Sequence, residues 1–210
     1  MKVFVVGGAI NYANFLEDAV LVDKLKDADV VLFTGGEDVD PSMYKCKKDR
    51  HTYSNKKRDL AEKKVFDCVR PDQVCLGACR GSQFLCVMNG GILVQHCNGH
   101  CDGFTHPITN GDKQFEITST HHQMQYPFNL SSEDYTVLYT TPYSLSSEYL
   151  GEGIDPYVIE DKLEPEIVLY HKKGLPKCLA VQGHPEMIPN SPVAKMISNL
   201  VKDLINGRDN

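Results

Sequence analysis

Four times in this 210-residue sequence a short apolar run ends in glycine: VFVVGG at residues 3–8, VVLFTGG at 30–36, VCLG at 74–77 and LAVQG at 179–183. Apolar runs of this length without polar alternation mark strands buried on both faces, as in a parallel sheet. Ile92–Val94 and Ile167–Tyr170 are two further runs of the kind. Between the first three, Phe15–Lys26 and Asn55–Val69 carry apolar residues at helical spacing, so the order is strand, helix, strand, helix, strand. From Phe115 to about Lys172 the pattern changes to FEITSTHH, YTVLYTT, PYVIEDK and EIVLYHK, rich in Thr, Tyr and Val, which predicts short antiparallel strands at one edge. A last helix follows, with Ser191 as N-cap, Pro192 in the first turn, a stripe from Val193 through Met196, Ile197, Leu200, Val201 and Leu204, and Gly207 at its end. The expectation is one α/β domain over residues 1–210, a three-layer sandwich with a mostly parallel central sheet and an antiparallel β elaboration.

Composition narrows the function classes. A formal charge of −6 and a charged fraction of 24% do not call for nucleic acid. The densest basic stretch, KCKKDRHTYSNKKR from Lys45 to Arg58, reads as a solvated loop and helix face. No apolar run approaches a membrane span, and the N-terminal residues lack the pattern of a signal peptide, so the protein is expected in the cytoplasm with no membrane partner. In a reducing compartment the eight cysteines do not form a disulfide framework, and Cys68, Cys75, Cys86 and Cys178 are expected to pack as small hydrophobes.

Cys79 has a different setting. In VCLGACRGSQFL a buried strand must turn sharply into a helix, and Gly77 and Gly81 remove side chains that would collide there. This is the cysteine form of the nucleophile elbow, and the N-terminal amides of the following helix favour a thiolate. LAVQGHPE supplies His184 and Glu186, two residues apart at another strand end, so that the carboxylate can orient the ring. VVLFTGGEDVD supplies glycine amides suited to an oxyanion, with the Gly36 and Arg80 amides as the pair. Nucleophile, base, orienter and oxyanion donors are the parts of an acyl-transfer site.

The combination of LGACRGSQ, GHPE and TGGEDVDP resembles the class I glutamine amidotransferase-like superfamily, and within it the γ-glutamyl hydrolase branch of peptidase C26 type. Gly35, Gly36, Asp38, Val39, Pro41 and Tyr44, then Arg58–Asp59 with Glu62, and STHHQ at 119–123 carry the likeness further. The resemblance implies a flavodoxin-like fold, a Cys79–His184–Glu186 triad, an oxyanion hole from Gly36 and Arg80, and a γ-glutamyl pocket lined by Gln83, Thr120, His121 and His122. It implies no metal and no organic cofactor. The substrate would be a γ-glutamyl amide or glutamine, cleaved through a thioester. The alternative is a glutaminase subunit that hands ammonia to a synthetase on another chain, and a non-catalytic or zinc-binding module is a third reading.

Two stretches depart from the family pattern, Cys86 in the helix after the elbow and QHCNGHC at 95–101, and both are expected near the pocket. His96, Cys97, His100 and Cys101 are all zinc-ligand types, but their spacing is not that of a structural zinc site. Adjacent His121 and His122 point to opposite faces of an extended chain, which disfavours chelation by the pair.

Overall fold

The computed structural model describes residues 1–101 and 104–207. The chain opens with β1 (Lys2–Val5), β2 (Val20–Leu21) and β3 (Val30–Phe33), then α1 (Lys56–Phe66), β4 (Val74–Ala78) and α2 (Arg80–Met88). There follow β5 (Ile92–Val94), β6 (His96–Cys97), β7 (Thr105–Thr109), β8 (Gln114–Thr118), β9 (Met124–Tyr126), β10 (Tyr135–Thr140) and β11 (Tyr149–Leu150). The chain closes with α3 (Pro156–Lys162), β12 (Pro165–Tyr170), β13 (Lys177–Val181) and α4 (Pro192–Ile205).

Nine strands form one sheet in the order β2-β1-β3-β4-β13-β12-β10-β7-β8. From β2 to β13 neighbours run parallel, and from β12 to β8 they run antiparallel. The late strand β13 lies beside β4, with Cys178 opposite Cys75 and Val181 opposite Ala78. That placement brings the carboxyl ends of β3, β4 and β13 together, where α/β sheets gather ligands.

Strand alternation divides the core. Val30, Leu32, Leu76, Leu179 and Val181 face α4, whose Val193, Ala194, Ile197 and Val201 are fully packed against them. Val31, Phe33, Cys75, Cys178 and Ala180 face the other way, onto Phe66 of α1 and Phe84, Leu85 and Cys86 of α2. The C-terminal helix is capped as expected, the Ser191 side chain accepting from the Ala194 N–H, with Gly207 at positive φ beyond it.

Four expectations need correction. Phe15–Lys26 is not a helix: Asp18 adopts φ 58°, and Val20–Leu21 pairs with β1, so β-branched residues at helical spacing are drawn into the sheet edge. PYVIEDK is α3 rather than a strand, because the Asp155 carboxylate caps the Tyr157 N–H at 3.0 Å and Pro156 suits the first helical position. Ile92–Val94 is a strand outside the main sheet, paired with β9 in a separate ribbon. Cys68 is exposed, since it falls in the turn just past the C-terminus of α1.

Candidate active site

At the end of β4 the chain turns within one residue into α2, and Cys79 is the pivot, with φ 52° and ψ −113°. Side chains rarely adopt such a backbone, which costs on the order of 1–3 kcal/mol and persists where surrounding structure holds it. The hold is visible here. The Cys79 N–H donates to the Val181 carbonyl at 2.9 Å, and its own carbonyl accepts from the Ser82 N–H at 2.9 Å. The two glycines are required by close approach: a β-carbon on Gly77 would lie 2.5 Å from the Gly81 carbonyl, and one on Gly81 would overlap the carbonyl of Phe33.

His184 follows β13. Its backbone N–H donates to the Thr118 carbonyl at 3.2 Å, and the Thr118 hydroxyl donates back to the His184 carbonyl at 2.5 Å. Pro185–Met187 forms a 3-10 turn rather than continuing the strand, yet the His184 Nδ1 still meets Glu186 Oε1 at 2.7 Å. Nε2 is left for Cys79, whose side chain is hydrogen-bonded to the ring. Burial disfavours a charged imidazole here, but Cys79 and Glu186 together outweigh it and push the His184 pKa up to about 10. An imidazolium beside sulfur stabilises negative charge there.

The third strand end brings the glycine loop, which α1 clamps to the elbow. Arg58 donates to the Gly35 carbonyl at 2.8 Å, to Glu37 at 2.9 Å and to Glu62 at 2.8 Å. Asp59 accepts from the Asp40 N–H at 2.9 Å with one oxygen and pairs with Arg80 through the other, while Glu62 takes the second arm of that guanidinium. Arg80 is thus buried side chain and all, and its ion pairs lock the first turn of α2 to the loop that carries Gly36. Gly36 itself has φ 137°, and a β-carbon there would overlap Arg58.

A cavity of about 220 Å³ opens in front of Cys79. Gly36, Arg80 and Gln83 line it on one side, and Thr120, His121 and His122 on the other. His184 and Glu186 are not among the lining residues and stand behind the sulfur. Gln83 is fixed by donating to the Gln123 carbonyl at 2.8 Å. His121 turns inward and is fully buried, its Nδ1 bonded to the same carbonyl at 2.9 Å, and burial first of all holds its pKa well below the ordinary value. His122 turns outward, where Asp38 at 3.2 Å raises its pKa.

Other residues at the site escaped sequence reasoning. Tyr53 and Asp38 also line the cavity, from the basic loop, which Gln95 anchors by bonding Asp49, Thr52 and Lys47. Tyr12 presses its hydroxyl on Gly35 and its ring on His184, with centroids 6.2 Å apart; burial, Glu186 and Cys79 raise its pKa. Its only sequence signal was position, just beyond a strand-ending glycine pair. Cys86, by contrast, lies away from the pocket. It is wholly buried beneath α2, its thiol directed at the Ile92 carbonyl, and burial pushes its pKa up to about 12.

Fold and site together place the molecule in the class I glutamine amidotransferase-like superfamily. The family model described as Peptidase C26 matches residues 6–130, which include the glycine loop and Cys79 and end before His184. The chain belongs to the peptidase C26 family, a family of hydrolases. A GMP synthase subunit protein from Thermoplasma acidophilum superposes with a TM-score of 0.61 at 16% identity, over 99% of this chain and 94% of that one. A glutamine amidotransferase from Thermotoga maritima does so with a TM-score of 0.54 at 12% identity, over 99% and 95%. No curated protein matches the sequence significantly.

Proposed function

We propose that the protein hydrolyses a γ-glutamyl amide through a thioester on Cys79. The sulfur attacks the amide carbonyl, and the Gly36 and Arg80 amides receive the charge that develops on its oxygen. His184, carrying a proton at neutral pH, gives it to the leaving amine as the C–N bond breaks. Once the sulfur is acylated its negative charge is gone, and the ring can act as base toward a water that releases glutamate and restores the thiol. Glu186 keeps Nε2 turned to the sulfur throughout. Gln83, Thr120, His121 and His122 would hold the γ-glutamyl end. The observation that carries this reading is Cys79, in a strained elbow, within hydrogen-bonding reach of a histidine that a carboxylate holds at 2.7 Å, facing a cavity.

The second reading is a glutaminase subunit that supplies ammonia to a separate synthetase. The fold shared with the GMP synthase subunit protein supports it. Incubation of the isolated chain with glutamine and a panel of γ-glutamyl amides, beside Cys79→Ala, separates the two. Steady turnover by the chain alone that disappears in the variant supports the hydrolase. Glutamine turnover only after a synthetase is added supports the subunit. No turnover, with no labelling of Cys79 by a glutamine-like electrophile, overturns both. The reducing environment in which such a thiol survives is the cytoplasm, which is the location we propose.

A further inference from the structure

Behind the wall of the cavity lies a buried polar cluster that thioester chemistry does not use. His100 comes from the QHCNGHC stretch, His106 from β7 and Glu166 from β12, and all three are buried. His106 Nε2 is 3.0 Å from Glu166 Oε1, and His100 Nδ1 is 3.7 Å from the same oxygen. One ligand atom from each residue can be chosen so that none is more than 4.8 Å from another. Zinc bonds imidazole nitrogen and carboxylate oxygen at about 2.0–2.2 Å, so the edge of a tetrahedral site is about 3.3 Å. The two measured separations bracket that edge.

Hydrogen bonding points the same way. Among the described residues, both ring nitrogens of His100, both of His106 and both carboxylate oxygens of Glu166 lack a hydrogen-bond partner of good geometry. Each such buried group costs about 1–3 kcal/mol when unsatisfied. A shell behind the cluster is, in contrast, well bonded. Glu164 faces His100 Nε2 at 3.3 Å and is itself held by the Thr141 hydroxyl at 3.0 Å, the Ser146 N–H at 2.9 Å and the Tyr149 hydroxyl at 2.6 Å. A carboxylate that takes the far N–H of an imidazole is the device that orients a metal-ligating histidine.

We propose that His100 Nδ1, His106 Nε2 and Glu166 bind a divalent transition metal, zinc by the nature of the donors, with a fourth position for water. The ligands arrive from a loop and two separate strands, so the ion staples that loop to the antiparallel edge of the sheet. The staple also backs the cavity wall: the Ser119 hydroxyl donates to the His100 carbonyl at 2.5 Å, and the His121 ring lies against that of His100 at 4.4 Å between centroids. The ligand set is not the one the spacing in QHCNGHC suggests. His96 from that stretch stacks on His51 near the surface instead, with centroids 4.1 Å apart.

The test uses the full chain carrying Cys79→Ala, which removes the thiol of the candidate active site as a competing ligand. Elemental analysis after desalting is expected to find about one zinc per chain, and less than about a tenth of that when His106→Gln is added. Chelator treatment of the parent should lower its melting temperature, and added zinc should restore it. Cobalt(II) in place of zinc should give visible ligand-field bands without sulfur-to-cobalt charge transfer. A parent chain that holds no stoichiometric metal, and whose melting temperature does not move when zinc is added, overturns the proposal. Sulfur-to-cobalt charge transfer would overturn the assigned ligands in favour of a thiol such as Cys97. Because the parent alone decides both points, a His106→Gln chain that fails to fold does not weaken the test.

Discussion

His184 is held between opposing effects, burial against the charges of Cys79 and Glu186, and its pKa of about 10 has consequences for pH dependence. The ring must be protonated to release an amine, so turnover is expected to be level from about pH 7 to 9 and to fall as pH passes about 10. Initial rates across that range check it; an alkaline limb centred near pH 7 would contradict it. The same shift bears on stability. The folded-state pKa lies above the ordinary 6.5, so the stabilisation is complete below about pH 6.5 and is lost as pH rises through about 10. Glu186→Gln keeps the shape but lets the ring choose the wrong tautomer, and kcat/KM should drop by about 10²–10⁴-fold with the fold intact by circular dichroism. Cys79, His184 and Glu186 were legible because each follows a strand-ending glycine within three residues, where local pattern is enough. Tyr12 was not, because its place on Gly35 is set by the fold of the chain between β1 and β3, which no periodicity announces.

Among the elements, α1 does the most for the site while touching no part of the space in front of the sulfur. Asp59 and Glu62 neutralise buried Arg80, and Asp59 and Arg58 hold the glycine loop, so the two segments that carry the Gly36 and Arg80 amides share one support. Removing one partner leaves a buried charge uncompensated. Asp59→Ala is therefore expected to destabilise the protein by about 3–5 kcal/mol, read from urea denaturation. A loss under about 1 kcal/mol would mean that Arg80 finds water or another partner. Gly81→Ala would drive a methyl into the Phe33 carbonyl and should lose soluble protein or activity before any substrate effect is seen. Both α1 and α4 could be read from apolar spacing and caps. The stretch at 15–26 could not, since its spacing is helical while its pairing with β1 is a tertiary choice. PYVIEDK misled in the opposite sense: β-branched and aromatic residues suggested a strand, and an Asp-Pro pair at its start outweighed them.

One sheet runs through the whole molecule, and each face is covered by a separate apolar cluster whose residues alternate along the same strands. Neither cluster can come apart without exposing strands that the other needs. Unfolding by urea is accordingly expected to be a single transition, with far-ultraviolet circular dichroism and the fluorescence of the 10 tyrosines superimposing. Two separated curves would show that the antiparallel edge melts by itself. The parallel order was legible because buried strands leave continuous apolar runs, whereas the separate ribbon of β5 and β9 was not, since Ile92–Val94 is as apolar as any central strand. The backbone at Cys79 matters at this scale as well. Glycine there would relax the turn, and by about 1–3 kcal/mol the inert chain would be the sturdier one. Neutral drift therefore runs downhill toward a disabled protein, and a lineage that had no use for the sulfur would have every physical reason to have lost it.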